Sequence, residues 1–292
     1  MDVVDEWFET ALRARRRARF DCASEEIFDG RPSPRTSGHE TKCAARSGIA
    51  CMSADATGVR QPFLSDIVTV LDHCGHHIGL QTQYSIDAFS RSLFDIYEVD
   101  FPTRLGNAVP KRQGEFLAGR VLAGAALKSL GIIESSVGIG ERGAPLWPKG
   151  SVGSISHSHG RCACLVARGE NMLIGIDVEK IATGNSLEAI MKEALSAREC
   201  NRLAHQTCLD QAILATTIFS AKETIFKALY PVVQDFFGFD AVSFNGIEDE
   251  DTLSFSTEQT LHPTIPIDTK MLIKFETDNE FTRTWTIIDR TM

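Results

Sequence analysis

Two long helical stretches, residues 111–130 and 209–230, each set among short apolar runs of strand length, constrain this chain more than any other feature. Lys111–Leu130 keeps a helical apolar period and is followed by Gly131, the residue type favoured one position past a helix end. Leu209–Tyr230 is as long and stops before Pro231. Around the first, Ile67–Leu71, Val152–Ser156 and Cys162–Ala167 read as strands, and Ile86–Tyr97 reads as a short helix stopped before Pro102. Around the second, Met172–Val178, Ala241–Phe244, Met271–Phe275 and Thr284–Ile288 read as strands. Ser196-x-x-Glu199 is a capping box opening a further helix. Strands and helices do not alternate one for one. The expectation is therefore an α+β fold with antiparallel hairpins, in two successive units, 62–170 and 171–292.

The N-terminal part differs. Residues 2–19 read as a helix with Val4, Phe8, Ala11 and Leu12 on one face, ending in the basic run Arg13–Arg19. That run either binds an anionic partner or is a solvated face. Residues 20–61 show little apolar periodicity and many Gly, Pro, Ser and Thr, the texture of a flexible segment. Residues 1–61 are thus set apart as a helix and flexible segment, disordered or lying upstream of a start at Met52.

The chain has 292 residues, 43% hydrophobic and 24% charged, enough for a sizeable core. Its net charge is −9, and residues 1–60 carry ten charges of each sign, so the whole deficit lies in residues 61–292. An acidic body argues against broad nucleic-acid binding, which needs many cations on phosphates. It leaves room for a local basic pocket around one phosphorylated ligand. Eight cysteines occur with no CxxC pair, which suits a reduced, cytoplasmic setting. No long apolar run suggests a secretory signal or transmembrane helix, and the acidic residues near the start argue against a transit peptide.

Chemistry concentrates in five places. Asp177 and Glu179 end an apolar strand at i and i+2, so both carboxylates lie on one face of the sheet. Like charges that close need a neutralising partner, and a divalent cation is one solution. Lys222–Lys227 lies inside the second long helix, where Glu223 and Lys227, four apart, share a face. They are either a plain helix ion pair or a carboxylate and a lysine facing a buried cation and a phosphate. Ser154–His159 places hydroxyls and imidazoles at a strand end, which suits phosphate contacts or a polar turn equally. Gly140–Pro148 is a rigid loop with one cation, Arg142. Lys111, Arg112 and Arg120 open the first long helix, where they either meet a ligand or pair with Glu115. Asp72–His77 has the look of a metal cluster, but its ligands are too tightly spaced for one tetrahedral ion, and a turn between strands is the better reading.

In this order the pieces resemble one family. KRQGEFLAGR at 111–120, GERGAPLWP at 140–148, GSISHS at 153–158, GIDVE at 175–179 and FSAKETIFK at 219–227 look like the signature of the 4'-phosphopantetheinyl transferases of the surfactin and enterobactin type, closest to the enterobactin synthetase component D branch. The resemblance spans about residues 62–290. It implies a pseudo-dimer of two similar α+β halves with coenzyme A in the cleft between them. It implies transfer of 4'-phosphopantetheine from coenzyme A to a serine of an apo carrier protein, with release of adenosine 3',5'-bisphosphate. By the same resemblance Asp177, Glu179 and Glu223 are Mg²⁺ ligands, Glu223 is the candidate base, and Lys227 holds a pyrophosphate oxygen. Ser156 and His157 meet nucleotide phosphates, Lys111, Arg112 and Arg120 the 3'-phosphate side, and Arg142 and Pro145 the adenine end. The implied partners are carrier domains of non-ribosomal peptide synthetases in a siderophore pathway. The enzyme is expected to be a cytoplasmic monomer, associated at most with a synthetase complex. Two departures stand out. Phe219 occupies a position where many relatives have Trp, and Ala144 one where many have Lys.

Overall fold

A computed structural model describes residues 52–54, 60–73, 75–140, 143–206 and 209–290. The reading of residues 2–19 as a helix, most of the segment that follows it, Cys74 and Arg142 lie outside the described residues. Two short strands, β1 (Met52–Ala54) and β2 (Arg60–Pro62), pair antiparallel. Then come β3 (Val68–His73) and β4 (His77–Gln83), a hairpin in the Asp72–His77 stretch with His73 opposite His77. The expected helix over 86–97 divides into a 3₁₀ turn, Ile86–Ala88, and a single α-turn, α1 (Leu93–Ile96). Packing explains the break. Phe89 sits at extended φ −76°, ψ 135°. Its ring lies 5.8 Å from Phe63 and 6.3 Å from Phe94, whereas a continuous helix would turn residues five apart onto different faces.

Helix α2 (Pro110–Ser129) matches its expectation, with Pro at the first helical position and Gly131 at φ +69° just beyond its end. A two-stranded hairpin follows, β5 (Gly138–Ile139) with β6 (Pro145–Leu146). Next are β7 (Ser151–Ser158) and β8 (Arg161–Arg168), joined by His159 and Gly160, both at positive φ as a tight two-residue hairpin turn requires. Strands β3, β4, β8 and β7 form a four-stranded sheet in the order 3-4-8-7. Its antiparallel face carries α2, and Leu117, Leu122, Ala126 and Leu127 are buried there with Phe63, Phe94, Cys162 and Cys164.

Strand β9 (Met172–Lys180) begins the second sheet. Helices α3 (Gly184–Glu193), α4 (Ala197–Ala204) and α5 (Gln211–Val233) precede β10 (Val242–Asp249), β11 (Thr252–Thr257), β12 (Lys270–Thr277) and β13 (Phe281–Asp289). The order is 10-11-12-13-9, antiparallel throughout. Helix α5 runs through Pro231 rather than stopping before it. The missing N–H costs only the bond to the Lys227 carbonyl in the last turn, and Gln234 at φ +53° closes the helix three residues later. Strand β11 has no counterpart in the sequence reading, because Thr252, Ser254 and Thr257 are buried along with Leu253 and Phe255, so its polar residues do not mark a solvent face.

The two sheets meet along β7 and β9. Ile174, Ile176 and Val178 of β9 and Phe281 of β13 form an apolar cluster with Ala163, Leu165 and Ala167 of β8. Strand β9 is the edge of its sheet, and two of its outward N–H groups find side chains instead of a ladder. Ile176 N donates to Ser154 Oγ (3.1 Å) and Val178 N to Ser156 Oγ (3.3 Å). Further ties cross the same boundary: Arg283 donates to Gln81 Oε1 (2.7 Å), and Arg161 pairs with Asp278 (2.6 Å). Among the described residues no helix is long and apolar enough to cross a membrane.

Candidate active site between the two sheets

Alternation along β9 sends Ile176 and Val178 to the β8 side and Gly175, Asp177 and Glu179 to the other. Helix α5 covers that second face at very short range. A Cβ on Gly175 would lie 2.1 Å from the Thr224 carbonyl oxygen, so only glycine admits the helix here. The approach brings two side chains of α5, two turns apart, onto one carboxylate. Ser220 Oγ donates to Asp177 Oδ2 (2.8 Å) and Lys227 Nζ donates to Asp177 Oδ1 (2.6 Å) and to Ile176 O (3.2 Å). From the other sheet, Ser156 Oγ donates to Asp177 Oδ1 (2.7 Å) and Ser158 Oγ to Glu179 Oε2 (2.8 Å). Asp177 is fully buried, and Glu179 and Glu223 nearly so. Glu223 lies between Ser220 and Lys227 on the same helical face, by its spacing of three and four residues.

The hydrogen bonds thus bring Asp177, Glu179 and Lys227 to the place where β7, β9 and α5 converge, and Glu223 is buried one turn along α5 from Lys227. Of the expected nucleotide contacts, Lys111 and Arg112 lie in the first turn of α2, Arg120 at its middle, and Ser156 and His157 on β7. Arg112 Nη1 lies 3.1 Å from His157 Nε2. Arginine only donates, so His157 Nε2 accepts and its ring proton sits on Nδ1, which faces Glu115 Oε2 at 3.8 Å. Arg112 also pairs with Glu115 (3.6 Å). Arg120 donates to Gly138 O (3.1 Å) and stacks over Phe116, and burial lowers its guanidinium from 12.5 to about 10. Lys111 is exposed, and Pro145 is half-buried in β6. The proton of Ser156 is committed to Asp177, so in this structure it serves the carboxylate.

Some participants were not legible beforehand. Ser158 and Ser220 hold the carboxylates. Arg104 places its guanidinium against Gly143, 3.6 Å from where a Cβ would stand. Lys222, inside the same motif as Glu223, faces away into the core. Its Nζ donates to Ala194 O, Phe239 O and Glu199, each at 2.9 Å, and Glu199 in turn closes the capping box on Ser196. Burial lowers the Lys222 pKa from 10.5, with Glu199 opposing.

Among the described residues no three His, Cys, Asp or Glu side chains are arranged as a ready-made metal cage. The donors are hard carboxylate oxygens all the same. They suit Mg²⁺ in its usual mode, where one or two carboxylates share the ion with substrate phosphates and water.

The fold is mixed α+β, and its two sheets meet beside the buried carboxylates Asp177 and Glu179 and beside Lys227. Residues 101–167 match the 4'-phosphopantetheinyl transferase N-terminal domain, and residues 173–271 match the 4'-phosphopantetheinyl transferase superfamily. Enterobactin synthase component D of Salmonella typhi is 32% identical over 158 residues, 54% of this chain and 64% of that protein. The 4'-phosphopantetheinyl transferase Npt of Nocardia iowensis is 34% identical over 160 residues, 54% of this chain and 69% of that one. The 4'-phosphopantetheinyl transferase PptT of Mycobacterium tuberculosis is 31% identical over 139 residues, 47% of this chain and 59% of that one. The chain belongs to the 4'-phosphopantetheinyl transferase superfamily. It spans 64% of the length of the Salmonella typhi protein it matches.

Proposed function

We propose that this protein transfers 4'-phosphopantetheine from coenzyme A to a serine of an apo carrier protein, and that its carriers belong to non-ribosomal peptide synthetases of a siderophore pathway. Family membership supports the chemistry. The similarity to enterobactin synthase component D supports the pathway. The single observation that carries the reading is the convergence of Ser220 and Lys227 of α5 with Ser156 of β7 on Asp177.

The carrier serine oxygen attacks the phosphorus that bears the pantetheine arm. The bond from that phosphorus to the bridging oxygen breaks, and adenosine 3',5'-bisphosphate leaves. Glu223 accepts the serine proton, directly or through a water. Lys227 moves from Asp177 to a pyrophosphate oxygen and offsets the charge that develops there. Asp177, Glu179 and Glu223 would hold Mg²⁺, which neutralises and aligns the pyrophosphate when bound. Arg112, His157, Lys111 and Arg120 bind the nucleotide phosphates, and Arg142 and Pro145 line the adenine end. Arg104 supplies positive charge beside the turn where Ala144 stands in place of the family lysine.

Mass spectrometry of an apo peptidyl carrier protein with coenzyme A, Mg²⁺ and this protein should reveal the phosphopantetheine adduct. Asp177→Ala and Glu223→Ala should abolish it. No adduct on any of several carrier proteins refutes the activity, and normal turnover by either variant refutes the ligand set.

A further inference from the structure

Ser220 is fully buried and reaches Asp177 from behind, on the α5 side. Its oxygen also lies 2.9 Å from Thr284 Oγ1 on β13, and Thr284 Oγ1 lies 2.7 Å from Thr224 Oγ1 on α5. Thr284 stands directly opposite Asp177 in the β13–β9 ladder. All three hydroxyls are fully buried, so water does not compete for them.

Each hydroxyl owns one proton, and a carboxylate paired with a lysine only accepts. The Ser220 proton therefore goes to Asp177. With that proton spent, the contact between Ser220 and Thr284 requires Thr284 to donate. With the Thr284 proton spent in turn, Thr224 must donate to Thr284. The Thr284 carbonyl oxygen, 3.2 Å away, is a second acceptor for the same Thr224 proton, and the shorter contact of 2.7 Å gives Thr284 Oγ1 the larger share of it. Every proton in the chain then points toward Asp177, and hydrogen bonds so aligned polarise one another.

We propose that Thr224, Thr284 and Ser220 form a one-directional hydroxyl relay that fixes the Asp177 carboxylate for its ligand, which makes these three hydroxyls positioning residues of the active site. The inference rests on the reading of Asp177 as a metal ligand in the transferase reaction. The fold supplies its own control one turn away. Thr217 donates to Ile213 O (2.8 Å) and lies 3.0 Å from Thr282 Oγ1, equally buried in the same seam between α5 and β13. Thr282 stands opposite Glu179 in the ladder, so Thr217 is the cleaner control: its described hydrogen bonds run to Ile213 O and Thr282 Oγ1, and it shares the packing role of the relay without its terminus.

The test uses the full chain with Mn²⁺ as the probe, titrated by electron paramagnetic resonance in the presence of coenzyme A, alongside thermal melting and carrier-modification kinetics. Thr284→Val keeps the shape and deletes the hydroxyl, Thr284→Ser keeps the hydroxyl, and Thr217→Val perturbs the neighbouring pair from the helix side. Thr284→Val and Ser220→Ala should weaken Mn²⁺ binding about 10–100-fold and lower kcat with the KM for coenzyme A held. Thr284→Ser should restore both. Thr217→Val should melt early yet bind Mn²⁺ as the wild type does. Wild-type affinity and kcat in Thr284→Val, or equal loss in Thr217→Val, overturns the relay. A wild type that turns over without binding Mn²⁺ overturns the metal reading alone, and the kcat of Thr284→Val then decides the relay. A wild type with no turnover overturns both.

Discussion

Replacing Lys222 by Met should cost this protein much of its stability, although the side chain is next to Glu223 in the same motif. Lys222 is 2% exposed and its Nζ has three acceptors, the carbonyls of Ala194 and Phe239 and the Glu199 carboxylate. Glu199 is itself 1% exposed and further accepts from Phe244 N (2.7 Å) and Ser196 N (2.8 Å). Lys222→Met leaves that carboxylate buried without its cation. Breaking a buried pair by removing one partner costs about 3–5 kcal/mol. With a urea slope of about 3 kcal/mol/M for a chain of this size, the unfolding midpoint should fall by about 1–1.7 M. Adding Glu199→Gln removes the stranded charge while its amide oxygen still accepts from Phe244 N, so the double variant should recover part of the loss. Urea unfolding followed by circular dichroism measures both. An unmoved midpoint in Lys222→Met, or a double variant as unstable as the two single losses added together, refutes the assignment of Lys222 to the core.

Gly175→Ala should be destabilised toward the upper end of the range of about 1–3 kcal/mol for overpacking, because the atom it meets is helix backbone. It should also lose carrier modification as α5 lifts Ser220 and Lys227 off Asp177. Wild-type melting and turnover would contradict the close approach. Burial pushes the Cys162 thiol up from 9.0 to about 12. Between those values the unfolded chain releases a proton that the folded chain keeps, so stability falls as pH rises above about 9, by about 1.4 kcal/mol per pH unit. Cys162→Ala should shallow that alkaline decline in urea midpoints measured from pH 8 to 10.5, and a decline parallel to wild type counts against it. Arg104→Ala should raise the KM for coenzyme A about tenfold with kcat held, as expected for loss of one charge-assisted contact of about 1.5 kcal/mol. An unchanged KM removes Arg104 from the site.

The sequence by itself determined the two long helices, the strands around Asp177 and the capping box at Ser196, because apolar period, glycine and proline punctuation and cap chemistry are local. It also determined the family, since ordered motifs are read one residue at a time. The break at Phe89 and the passage of α5 through Pro231 were decided elsewhere: the first by an aromatic cluster around Phe63, the second by how little a lost bond matters in a last turn. The site divides the same way. Asp177, Glu179, Glu223 and Lys227 stand out as charges in apolar surroundings. Ser158, Ser220, Thr284 and Lys222 do not, because a hydroxyl or a lysine acquires its role only from the atom facing it. Only the tertiary structure brings β13 and α5 to within hydrogen-bonding distance behind Asp177, and the close approach at Gly175 is what permits it.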